Sequence, residues 1–124
     1  MAQAPAIDSI RTSRDTALSA LNDAFNTIGR EVARTTKLGP YLDRLTDRYD
    51  ALGDEREAIL TAATDAALAL PEVVAAAAIL ADLASQMNTT AAELPKATDL
   101  LIKSATVLSL GQQFVDTIAT AQKA

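Results

Sequence analysis

Between Ile59 and Met87 the chain reads ILTAATDAALALPEVVAAAAILADLASQM, and only Asp65, Glu72 and Asp82 carry charge there. Alanine is the commonest residue there, while Leu, Ile, Val and Met supply the bulk. A segment this apolar has to be covered by amphipathic neighbours. The flanking segments suit that role. From about Ala6 to Thr35, Ile7, Ile10, Leu18, Leu21, Phe25, Ile28 and Val32 recur in steps of three and four. That spacing predicts one long helix following a loose tail at residues 1–5. Arg14 falls in the middle of its stripe. Gly39-Pro40 closes this helix and opens a second, with proline in the first turn.

The second stripe is Leu42, Leu45, Tyr49, Leu52, Ile59, Ala63, Ala66 and Leu70, and it keeps its phase across Gly53. A single helix is therefore expected to run through the glycine. Arg56 interrupts this seam as Arg14 interrupts the first. Pro71 pushes the residue before it out of the helical region, so a third, shorter helix is expected from Pro71 to Gln86 or Met87; the alternative is a continuous helix kinked at Pro71. Asn88-Thr89-Thr90 reads as a turn, and Thr90-Ala-Ala-Glu93 matches a capping box. The last helix is expected from about Pro95 to Gln122, with Leu100/Leu101, Val107/Leu108 and Phe114/Val115 repeating at seven residues. Ser104 and Gly111 lie between these pairs, small enough to admit a close neighbour. Asp99 and Lys103 are spaced to pair on its outer side.

Strand-type alternation is absent and the glycines and prolines number four each, too few for a sandwich of many turns. The expected fold is all-α: an antiparallel bundle of about four helices, two of them long, with short connections, in a single domain of residues 1–124.

The missing residue types say more about chemistry than those present. The chain has no histidine, cysteine or tryptophan. That removes histidine-based di-iron and haem sites, ordinary zinc sites, and the Ser-His and Cys-His nucleophile pairs. Its four glycines are isolated, so no phosphate-cradling loop is formed. No catalytic, cofactor or metal residues are assigned, and the chain is expected not to be an enzyme. A net charge of −5 argues against nucleic acid. The apolar run from Ala66 to Ala81 is too short to span a bilayer. The opening MAQAPAIDSI lacks the regions of a secretory signal. A cytoplasmic location is expected.

Three features suggest surfaces. Asp43, Asp47, Asp50, Asp54 and Glu57 form an acidic row about 150° from the apolar stripe of their helix. It is either a docking face for a basic partner or hard cation, or a solvated outer face. Arg14 and Arg56 either build a polar seam between helices or lay their stems on apolar surface with the heads in water. In an antiparallel hairpin turning near Leu38, Arg14 falls beside Ala62 and Arg56 beside Ala20, on separate levels. Ile102 and Leu110 lie outside the main stripe of the last helix, which suggests either a partner, most simply a second copy in a homodimer, or a helix near the centre of the bundle that is apolar on several sides.

These surfaces point to a helical interaction protein, such as an adaptor, assembly factor or structural subunit, that associates with itself through apolar helix faces. In its alanine-rich, cysteine-free, aromatic-poor make-up the chain also resembles the phasins, which coat storage granules. That likeness lies in composition, covers no motif and transfers no residues. It implies an amphipathic-helix coat protein for an uncharged lipid or polymer surface. A helical pocket for a small apolar ligand is a third reading.

Overall fold

A computed structural model describes residues 3–123 of the chain. Among these residues are six α-helices: α1 (Gln3–Arg34), α2 (Pro40–Ala62), α3 (Asp65–Leu68), α4 (Pro71–Val74), α5 (Ala77–Glu93) and α6 (Leu100–Lys123). A 3-10 turn, Leu94–Lys96, follows α5. The all-α expectation holds, with no strand among the described residues. Four helices are long, not two, at 32, 23, 17 and 24 residues for α1, α2, α5 and α6.

Helix α1 already includes Gln3, Ala4 and Pro5, which were expected in a loose tail; Met1 and Ala2 lie outside the described residues. Proline is tolerated there because a first turn has no carbonyl waiting for its missing N–H. Gly39, at φ 156, bends the chain into α2. As expected, α2 runs unbroken through Gly53.

It ends earlier than its apolar stripe suggests. The chain leaves the helix at Ala63, and the extended Thr64 caps α3, its Oγ1 accepting from the Ala67 N–H at 3.2 Å. Alanines at 63 and 66 fit either path, so the stripe could not register the break. Leu70 is extended before Pro71, which confirms the expected interruption. Beyond it lie a single turn, α4, and then α5, in place of one continuous third helix. Asn88-Thr89-Thr90 is not a turn, and Thr90 caps nothing: both lie within α5. Leu80, Ala84, Met87, Ala91 and Leu94 prolong the buried stripe, and that burial outweighs local turn preference. The last helix starts at Leu100 instead of Pro95. Asp99 caps it, accepting from the Ile102 N–H at 3.1 Å, so Lys103 pairs with Glu93 (3.7 Å) and not with Asp99.

Side-chain contacts set the directions of the long helices. Arg14 meets Asp65, Asn22 meets Arg56 and Phe25 meets Tyr49, so α1 and α2 run antiparallel. Arg48 meets Leu101, and Glu55 lies against Gly111, so α2 and α6 run parallel. Met87 meets Gly111, and Glu93 meets Lys103, so α5 and α6 are antiparallel. Thr27 and Arg30 line a hollow together with Ala91 and Pro95, which sets α5 parallel to α1. Helices α2 and α5 therefore stand at opposite corners, and α3 and α4 form the strap between them. Leu68 and Val73 bury the strap under the bundle.

The core is one contiguous cluster drawn from all six helices. On α1 its centre is Ile10, Ala17, Ala20, Leu21, Ala24 and Ile28, with Leu18, Phe25 and Val32 at the flank. Alanine at the centre permits close helix approach. From the uncharged stretch, Ile59, Leu68, Val73, Leu80, Leu83 and Met87 are buried, whereas Leu60, Leu70 and Ile79 remain exposed.

Candidate functional site

Helix α2 places Leu45, Leu52 and Ile59 in the core at intervals of seven. Three residues after the first two come Arg48 and Glu55, on the side turned to α6. Opposite them α6 offers Ser104 and Gly111, also seven apart and both buried. The small residues thus mark the levels at which two charged side chains enter the α2–α6 seam.

Arg48 enters with hydrogen-bond partners. Its Nη1 donates to the Leu101 carbonyl oxygen at 2.5 Å and to Ser104 Oγ at 2.8 Å. Glu55 does not. Its Oε1 is buried and accepts no hydrogen bond from the described residues. A Cβ at position 111 would meet Glu55 Cγ at 2.9 Å, so glycine is what lets the side chain in. Burial raises the Glu55 pKa, and the like charge of Asp116 on α6 adds to the rise. No motif singles out Arg48 as a link or Glu55 as an acid with a buried carboxylate oxygen. The signal was their seven-residue spacing in phase with Leu45 and Leu52.

Above this seam, toward the N-terminal ends of α2 and α6, lies an open groove of about 940 Å³. Ala51, Leu101, Ala105 and Leu108 give it an apolar lining; Arg44, Asp47 and Asp99 supply charge of both signs. Ile102 lines it and is 66% exposed, held at the start of α6 by the Asp99 cap. Leu110, expected to share an exposed face with Ile102, is instead a core residue at 7% exposure. Helix α6 is covered by both α2 and α5, so its buried face is wider than a single stripe and takes in Leu110.

Asp43, Asp47, Asp50, Asp54 and Glu57 are all exposed. Among the described residues none of them forms an ion pair, and no cluster of potential metal ligands occurs. Asp47 alone of the row also lines the groove.

Arg14 and Arg56 stand on separate levels, as the hairpin register requires. Arg14 donates to Asp65 Oδ1 (2.9 Å) and the Ala63 carbonyl (3.4 Å), and pairs with Asp15 (3.1 Å). Arg11 approaches the same Asp65 at 3.6 Å. The start of the strap is thereby tied to α1. The hydrogen bond from Arg14, with the charge of Arg11, holds the Asp65 carboxyl below its usual range, and Asp65 in turn raises Arg14. Because the Asp65 pKa is depressed on folding, its stabilisation is present above the unfolded value and lost as pH falls through the folded one. Arg56 donates to Asn22 Oδ1 at 3.2 Å and lies 5.3 Å from the centre of the Phe25 ring.

No helix among the described residues is long and apolar enough to cross a membrane. Compared with protein-family models, with curated proteins and with solved structures, the chain matches none.

Proposed function

We propose that the chain is a non-enzymatic helical interaction protein, its long helices acting as one bundle domain, which associates with a second copy of itself through the α2–α6 groove. The observation that carries this reading is Ile102: a large aliphatic side chain two-thirds exposed beside an apolar lining of Ala51, Leu101, Ala105 and Leu108. An exposed apolar patch with a polar margin is the ordinary form of a protein contact surface. Charge of both signs at that margin, Arg44 against Asp47 and Asp99, suits a surface meeting its own copy better than a strongly charged partner. The acidic row of α2 then serves to solvate the outer face.

Sedimentation velocity on the unaltered chain and on Ile102→Asp tests this. A dimer that becomes a monomer, with unchanged helical circular dichroism, is the expected result. The same mass for both proteins contradicts it. Flotation with neutral lipid or polymer particles separates this reading from that of a coat protein: co-flotation favours the coat.

A further inference from the structure

We propose that Glu55 is a proton-operated lock on the α2–α6 seam: ionised, it loosens the hold of α6 on α2, and protonated, it tightens it. The geometry gives one oxygen of the carboxylate no compensation. Its Oε1 is buried without a donor, and the close approach at Gly111 leaves the side chain pressed against the backbone of α6. The charged group facing it from α6 is Asp116, of the same sign. From α5 the neighbour at that level is the Met87 methyl, which offers no donor. Across α2, the side chains α1 presents at this level are Asn22 and Phe25, and both engage Arg56. The two nearest cations of its own helix are engaged elsewhere, Arg48 with Leu101 and Ser104, Arg56 with Asn22 and the Phe25 ring, and Arg44 lies eleven residues away. Asp54 and Glu57, its acidic neighbours on α2, are exposed to water. A carboxyl that no donor or cation reaches is better held neutral in such a seam.

The sign follows from linkage. The folded-state pKa lies above the unfolded one, so ionised Glu55 destabilises the fold at neutral pH. That penalty shrinks as pH falls through the folded value, and it is gone below about 4.3, where an unfolded glutamate titrates.

Urea unfolding of the full chain and of Glu55→Gln at pH 7.5, at pH 5.5 and at about pH 4.3 provides the test, with carbon-13 NMR titration of the Glu55 carboxyl in the unaltered protein. Glutamine keeps the shape and removes the charge. The variant is expected to unfold at higher urea at pH 7.5, with the gap narrowing as pH falls toward about 4.3, where an unfolded glutamate titrates. The carboxyl should titrate above about 4.3. A gap that stays constant with pH, a variant less stable at pH 7.5, or a carboxyl titrating at or below that value overturns the proposal. Should Glu55→Gln not fold, the NMR titration alone decides.

Discussion

Helix α2 meets its two main neighbours by different means. Toward α1 it offers Tyr49, whose ring stacks on Phe25 with centroids 4.0 Å apart and planes inclined by 25°. Glycines make room for that pair: a Cβ at Gly29 would meet Tyr49 at 2.8 Å, and one at Gly53 would meet Phe25 at 3.2 Å. Arg56 covers the outer face of Phe25. Toward α6 the same helix offers Arg48, hydrogen-bonded through Nη1, and Glu55, whose Oε1 has no partner among the described residues. The first seam is held by rings and dispersion, the second by a hydrogen-bonded cation and a half-buried carboxyl with one oxygen unpartnered. One helix can thus carry a contact indifferent to pH and another that responds to it, because the two lie on different sides of its axis.

The largest effect expected is that of Leu110→Asp. It would put an unpaired charge into the α5–α6 core, at a loss of about 3–5 kcal/mol or of folding itself. Circular dichroism melts would show it; a variant that melts like the parent would move α6 out of the core and undo the description of its seam.

Phe25→Ala removes the ring stack and the surface beneath Arg56. About 3 kcal/mol is expected, the low end for phenylalanine because the ring is only partly buried. Arg48→Met keeps the aliphatic stem and deletes the donors to Leu101 and Ser104, for about 1–2 kcal/mol. Denaturant unfolding of the two variants side by side tests their order. A larger loss for Arg48→Met would mean that the polar seam, not the aromatic one, holds α2 in place.

The parts of the fold legible in the sequence were those where bulk marks one face. Leu45, Leu52 and Ile59 announced α2, and the hairpin register, with Ala62 and Ala20 as expected neighbours, placed Arg14 and Arg56 within three residues of their hydrogen-bond partners on the facing segment, Ala63 and Asp65 for the one and Asn22 for the other. Ser104 and Gly111 correctly marked a close approach, though not what approaches. Alanine hid the rest. Ala17, Ala20 and Ala24 form the centre of the α1 face but carry no more signal than exposed alanines, and Ala63 and Ala66 concealed the end of α2. The Thr90–Glu93 box shows the opposite error, a valid local motif overruled by Met87, Ala91 and Leu94 turning inward. Leu110 was misplaced because a helix with two packed neighbours buries a wider arc than one stripe describes. Glu55 went unnoticed because Arg56, one residue on, occupied the expected polar position.

The strap of α3 and α4 has a consequence for topology. Neighbouring helices sit about 8–10 Å apart, and a diagonal pair about 1.4 times farther. Reaching the far corner takes more chain than a tight turn supplies, and the two single-turn helices provide it. Each end of this polypeptide is a self-contained hairpin, and the linker between them decides which way round the two hairpins clasp. Trimmed to a few residues, it would bring α5 in beside α2, so that the side of α2 now packed on α6 would face α5 while its side toward α1 kept its partners.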